Sequence, residues 1–381
     1  MNGTLNKEQT HDFLQRGFSR RSLGRIAALM GAGASMPFFS EPMMAQLSQV
    51  KGMPADAVKI NANENPLGPC AEAADAIHNI VKKGGRYMYE LGDEFRETLA
   101  AQEGVMPAQV QPYPGSSQPL HQAVMAFTSP TKSFVIADPG YDAGERAAKF
   151  IGAKVVRVPL AKDYSHNVKA MATADPNAGL IYICNPNNPT GTLTSKADLD
   201  WLVANKPKGA VVMIDEAYTH IAGAPFSSYM VAQGKDVILL RTFSKIYGMA
   251  GLRAGAAIAR ADLLEKFIPY TAGALPITGY VAATASLKSK TVVPERRKII
   301  GDVRNDVLAF MKEHDFKTVP SVSNKFMVDV KKPANDVILA LRKEKVYIGR
   351  VWPSWPTHCR VSIGTQEEMD KFKAAFLKVM A

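Results

Sequence analysis

Lys245 follows the apolar run Asp236–Leu240, flanked by the hydroxyls of Thr242 and Ser244, with Arg253 eight residues further on. A lysine held near other cations and partly shielded from water can act as an amine nucleophile toward a carbonyl, forming a Schiff base. Hydroxyls with an arginine close by suit a dianionic phosphate. A solvated surface lysine is the plain alternative, but it leaves unexplained the position between hydroxyl-rich and glycine-rich runs. Asp215 closes the run Val211–Ile214. A carboxylate there is costly unless it meets a cation or a strong donor. No cluster of His, Asp or Glu completes a coordination shell around it, so no metal is expected.

Three more segments could carry chemistry. Pro114-Gly115-Ser116-Ser117-Gln118 leads into an amphipathic stretch; it reads as a phosphate cradle at a helix N-terminus, or as an ordinary capped helix. In Cys184-Asn185-Pro186-Asn187-Asn188-Pro189-Thr190-Gly191, prolines and a glycine stiffen a loop. Such a loop would hold the Asn188 amide at a fixed position. Arg360 heads an apolar run, Val361–Ile363. A planar guanidinium there suits bidentate binding of a carboxylate, or else a structural ion pair.

The elements that must position these residues are short and apolar on both faces. Ser133–Ala137, Lys154–Val158, Gly179–Cys184, Ala210–Ile214, Asp236–Leu240 and Ala254–Ile258 read as buried strands. Helical patterns such as Asp142–Ile151 and Ser195–Asn205 lie between them. That alternation predicts an α/β domain with a mostly parallel sheet, whose strand ends would present the motifs. Beyond about residue 290 the pattern becomes α+β. A charged helix over Pro294–His314 leads to strands near Lys325–Val330 and Arg360–Ile363, with helices near Asn335–Glu344 and Glu367–Met380. The expected division is 46–85 as an N-terminal arm joining the small domain, 86–285 as the large domain and 286–381 as the small one.

Asp215-x-x-Tyr218, Ser244-Lys245, Arg253 and Asn188-Pro189-Thr190-Gly191 together resemble the fold-type I pyridoxal-phosphate aminotransferases. Asn61-Ala62-Asn63-Glu64-Asn65-Pro66-Leu67-Gly68-Pro69 and the stretch Ser244–Gly255 are similar to the histidinol-phosphate aminotransferase branch. The resemblance covers the chain from about residue 58 onward. It implies a large three-layer α/β domain with a smaller α+β domain, and pyridoxal 5'-phosphate as cofactor. Lys245 would carry the cofactor, Asp215 would pair with the ring nitrogen, and Tyr218 and Asn188 would bond the ring hydroxyl. Tyr141 would stack on the ring, while Ser116, Ser117, Thr242, Ser244 and Arg253 would hold the phosphate. Tyr87, with Tyr89 as the alternative, matches a tyrosine given across a homodimer interface. Arg360 would grip the substrate carboxylate, and Arg350 would meet its distal group.

The implied activity is ping-pong amino transfer between an L-amino acid, aromatic or bulky, and a 2-oxo acid. Histidinol phosphate is the alternative donor, and decarboxylation or cyclisation on the same fold stays open, as does an inactive ligand-binding scaffold. Trp352 and Trp355 read either as a flat wall for such a side chain or as packing of the small domain.

The first 45 residues read separately. Ser19-Arg20-Arg21-Ser22-Leu23 precedes a mild Gly- and Ala-rich apolar stretch, Ile26–Phe39. This resembles a twin-arginine export signal, cut after Ala45, and predicts a periplasmic protein. The alternative is a cytoplasmic protein whose N-terminal arm packs on a neighbour. No apolar run is long enough for a stable membrane anchor. The charge of +11 comes from 46 Lys and Arg against 35 Asp and Glu. Anionic small ligands account for part of it. Basic doublets such as Lys82-Lys83 and Arg296-Arg297 are scattered without aromatic interleaving, so no nucleic-acid partner is expected. The cysteines Cys70, Cys184 and Cys359 form no disulfide framework.

Overall fold

A computed structural model describes residues 7–20, 22–24, 52–270 and 275–381. Arg21, the apolar stretch Ile26–Phe39 and the expected cut after Ala45 lie outside the described residues. Among them the strands are β1 (Val58–Ile60), β2 (Val110–Tyr113), β3 (Ser133–Asp138), β4 (Val155–Pro159), β5 (Ala178–Cys184), β6 (Val211–Asp215), β7 (Val237–Thr242), β8 (Gly255–Ala259), β9 (Lys325–Asp329), β10 (Val346–Ile348) and β11 (His358–Ser362).

Seven of these form one sheet in the order β2-β8-β7-β6-β5-β3-β4. The pairs from β4 through β7 are parallel, and β8 runs antiparallel to both neighbours. β5, β6, β7 and β8 are buried at every position, as their apolar, β-branched composition requires of strands covered on both faces. Each large aliphatic side chain so buried contributes roughly 1.5–3 kcal/mol. Periodicity does not reveal β2. Gln111-Pro112 breaks its apolar run, and the strand forms because the antiparallel β8 offers an edge, where a proline without an amide donor is tolerated.

The parallel strands β3, β5, β6 and β7 end on one side of the sheet. The order reverses between β3 and β5, leaving a crevice at that edge. The C-terminal part is built on antiparallel β9–β11 and parallel β1–β10, so residues 58–60 join a sheet with a strand nearly three hundred positions away. Helices Val292–Glu313, Ala334–Lys343 and Gln366–Met380 cover it. The first begins before Pro294, which sits in the first turn, where its missing N–H costs nothing. Thr365 and Glu368 close the start of the last helix with a capping box.

The Lys7–Gln15 helix and the turn after it pack on the large domain. Phe13, Phe18 and Leu23 are buried, and Arg16 donates to the carbonyls of Met125, Ala126 and Thr128 at 2.8, 3.0 and 3.1 Å. No helix among the described residues is long and apolar enough to cross a membrane.

Candidate active site

Asp215 is the last residue of β6 and is buried. Its Oδ2 accepts from the phenol of Tyr182 at 2.9 Å and its Oδ1 from the amide of Ala217 at 3.1 Å. Tyr218, one turn on, is buried as well, and burial pushes its phenol well above the ordinary range. The Tyr218 hydroxyl accepts from Asn63 Nδ2 at 3.3 Å. Lys245, on the loop after β7, brings its Nζ to 5.9 Å from the Tyr218 ring centre. Asn65 Nδ2 holds this loop through the carbonyls of Lys245 and Ile246 at 3.0 and 3.1 Å. Arg241, just before it, is clamped by Glu103 at 2.6 Å and by Glu216, all three side chains largely covered.

The hydroxyls gather at the other end. Ser116 precedes the Ser117–Phe127 helix without making a side-chain cap, which leaves that helix's first amides directed outward. Thr242 donates to Ser244 Oγ at 3.0 Å and accepts from the Ser244 amide, so both hydroxyls are held on one turn. Ser116, Ser117, Thr242 and Ser244 are all buried. Arg253 leaves its turn in the left-handed region (φ 55°) and donates to Ala250 O at 2.8 Å and Pro114 O at 2.9 Å. Its guanidinium thereby fastens the Gly115 turn. A Cβ on Gly255 would lie 2.7 Å from the Gly115 carbonyl carbon, so the two backbones approach only because both residues are glycine.

Arg360 lies in the middle of β11 rather than at its head, and is buried. Its Nη1 donates to Asn188 Oδ1 at 3.2 Å and its Nη2 to Asn61 O at 2.5 Å. The buried Nε has no partner among the described residues. Burial, with Arg350 nearby, lowers its pKa to about 10. A Cβ on Gly349 would come within 2.9 Å of that Nε, so the glycine makes room for the guanidinium. Among the described residues no carboxylate forms an ion pair with Arg360, which speaks against the ion-pair alternative. Asn188 does not stand alone, because Asn187 ties its loop to Pro139 O at 3.2 Å and to Thr190 at 2.9 Å.

Arg350 is partly exposed and engaged. It pairs with Asp142 through two contacts of 2.6 and 3.1 Å, and its guanidinium lies 4.6 Å from the Trp352 ring. Trp352 is buried, donates to Gly140 O at 2.9 Å and has Arg360 5.5 Å from its ring. It belongs to a small apolar cluster with Val319 and Met327, flanked by Tyr164 and Trp355. Tyr141, next to Gly140, is partly buried against the main core. Tyr87 is apart from all of these. It is 80% exposed, stacked on Tyr89 with ring centres 5.6 Å apart.

Several residues of the site escape sequence reasoning. Asn61, Asn63 and Asn65 deliver hydrogen bonds from one short segment, with Ser362 Oγ donating to Asn63 Oδ1 at 2.8 Å. Lys325 opens the apolar strand β9, is fully buried, and places Nζ 3.1 Å from the Tyr218 ring centre and 2.9 Å from Ser323 Oγ. Burial drives its amine well below the ordinary lysine range. A lysine and a tyrosine inside otherwise apolar strands were the available signals.

The residues fit pyridoxal phosphate. Uncapped helix amides, hydroxyls and Arg253 make an anion cradle. Asp215 is a buried carboxylate able to face a ring N–H, and the Lys245 amine comes to the ring of Tyr218, three residues beyond it. The Arg360 Nε is a buried donor without a partner among the described residues, of the kind a carboxylate can use. Among the described residues no three His, Cys, Asp or Glu side chains gather to hold a metal.

Comparisons with known proteins point the same way. Residues 55–376 match the family described as aminotransferase class I and II. The histidinol-phosphate aminotransferase of Moorella thermoacetica is 32% identical over 339 residues, covering 86% of each chain. Histidinol-phosphate aminotransferase 2 of Haemophilus influenzae is 31% identical over 92% of this chain and 97% of its own. The crystal structure of the Sinorhizobium meliloti histidinol-phosphate aminotransferase with pyridoxal-5'-phosphate superposes with a TM-score of 0.78 at 25% identity, over 91% of this chain and 95% of that one.

Proposed function

The chain belongs to the class I and II aminotransferases and is a pyridoxal-phosphate-dependent enzyme, and on that premise we propose that it transfers an amino group between an aromatic or bulky L-amino acid and a 2-oxo acid. The observation that carries this reading is Arg360, a buried guanidinium with an unpaired Nε beside Asn188 and the flat face of Trp352.

When bound, the cofactor supplies a carbonyl that condenses with amines and a ring that accepts the electron pair left at the substrate Cα. Lys245 would hold the cofactor through Nζ, and its amine, once displaced by the incoming substrate amine, would be the base that takes the Cα proton and returns it. Asp215, which accepts from Tyr182 and from the Ala217 amide, would face the ring nitrogen as its counter-charge. Tyr218 and Asn188 would orient the ring hydroxyl, and Tyr141 would cover the ring face. Ser116, Ser117, Thr242, Ser244 and Arg253 would bind the phosphate. Arg360 fixes the substrate by its carboxylate, which decides the Cα bond that faces Lys245.

Histidinol phosphate is the second reading, favoured by the named activity of the relatives and by the partly exposed Arg350. A distal phosphate there has to take Arg350 from Asp142. A panel of amino donors that includes histidinol phosphate, followed by half-reaction spectra, tests both. Activity confined to histidinol phosphate would refute the first reading, and none with any donor would refute both.

A homodimer is part of the proposal. Two stacked tyrosines at 80% and 74% exposure are a surface that a second copy would cover, placing Tyr87 at the partner's phosphate site. A monomeric mass in solution would refute it. Export through a twin-arginine signal is proposed from Ser19–Leu23 and the mild apolar stretch behind it. Cells carrying Arg20→Lys/Arg21→Lys should retain the protein in the cytoplasm, and unchanged periplasmic delivery would refute export.

A further inference from the structure

We propose that Tyr182 is a positioning residue for amino transfer: its phenol fixes the Asp215 carboxylate and favours its anion, the counter-charge that the cofactor's ring nitrogen needs. The proposal rests on the assignment of Asp215 to that nitrogen.

β5 reads Ala178-Gly179-Leu180-Ile181-Tyr182-Ile183-Cys184 and is buried throughout, so Tyr182 carries the strand's one hydroxyl. A phenol that is 2% exposed needs a partner, and this one finds it on the next strand. Register sets Tyr182 opposite Met213 and Cys184 opposite Asp215. The phenol therefore reaches two positions along β6 to meet Oδ2 at 2.9 Å. Oδ1 takes the Ala217 amide at 3.1 Å, so each carboxylate oxygen has its own donor on the protein side and the carboxylate cannot turn freely. Phe134 of β3 packs on the Tyr182 ring, 6.3 Å between centres, and fixes it from the far side.

The chemistry follows from the direction of the hydrogen bond. A donor to a carboxylate favours its anion, and that anion is the counter-charge that keeps a pyridine nitrogen protonated. Burial and the charge of Asp215 both raise the Tyr182 phenol well above its usual range, so it stays a donor at any working pH. The role differs from packing, because packing would be served equally by phenylalanine.

Tyr182→Phe removes only the hydroxyl. Cofactor is stripped from purified wild-type and variant protein, and each is titrated with pyridoxal phosphate and with an analogue bearing CH in place of the ring nitrogen. The expected result is about tenfold weaker binding of pyridoxal phosphate and about tenfold lower kcat with KM unchanged, the analogue binding both proteins alike. In an Asp215→Asn background, Tyr182→Phe should add no further loss. Equal losses for both cofactors, no loss with pyridoxal phosphate, or a further loss in the Asp215→Asn background would overturn the proposal. Wild-type protein that fails to prefer pyridoxal phosphate over the analogue would instead refute the assignment of Asp215.

Discussion

Arg360→Lys is the sharpest test of substrate binding. The guanidinium spends Nη1 on Asn188 and Nη2 on Asn61 while keeping the buried Nε unpaired. A substrate carboxylate would use the guanidinium N–H groups not spent on those two partners. Lysine offers one compact ammonium, which cannot serve Asn188, Asn61 and both carboxylate oxygens. Losing one charge-assisted hydrogen bond in a buried site costs about 1.5–3 kcal/mol, roughly 10- to 100-fold in kcat/KM. The assay compares an amino acid with the amine of the same side chain that lacks the carboxylate. The amino acid should lose that factor, and the amine, which never used Arg360, should keep its slow rate. An equal fall for both substrates would refute the reasoning, since it would mean that the substitution damaged the site as a whole. An unchanged amino-acid rate would refute the assignment itself.

Other expectations follow from the same geometry. Lys245→Ala should abolish turnover while thermal unfolding stays cooperative, and wild-type transamination by that protein would sink the assignment. Arg241→Met leaves Glu103 and Glu216 buried without their cation and should cost about 3–5 kcal/mol in chemical denaturation. His166 is buried, with Nδ1 2.8 Å from Thr194 Oγ1, and burial lowers its pKa from 6.5 to about 4. The unfolded chain therefore binds a proton that the folded one refuses. This contribution is complete above pH 6.5 and falls by about 3 kcal/mol as pH drops through 4. His166→Asn should flatten the stability profile over that window, and an unchanged slope would refute the argument.

The strands of the large sheet were legible because strands covered on both faces must be continuously apolar, and runs such as Leu180–Cys184 and Val211–Ile214 leave no other reading. β2 was not legible, since an edge strand with Gln111-Pro112 owes its existence to the neighbour it pairs with. At the site, Lys245, Asp215 and Arg360 announced themselves as charges beside apolar runs. Asn61 and Asn63 stood out only as part of a family-like segment with no role attached, and Tyr182 not at all, because a polar side chain in a loop or strand says nothing about what it will meet. The position of Arg350 was legible, but its bidentate partner Asp142 stands 208 residues away.

The sequence alone determined the alternation of elements and the inventory of reactive groups, because hydrophobic period and residue chemistry are local properties. Only the tertiary structure decided which groups share a site. It set the phenol of Tyr182 on Asp215, left Nε of Arg360 buried and unpaired, and closed Arg350 onto Asp142. These contacts join segments far apart in the chain, and their energies depend on burial and direction, which no local window of residues contains.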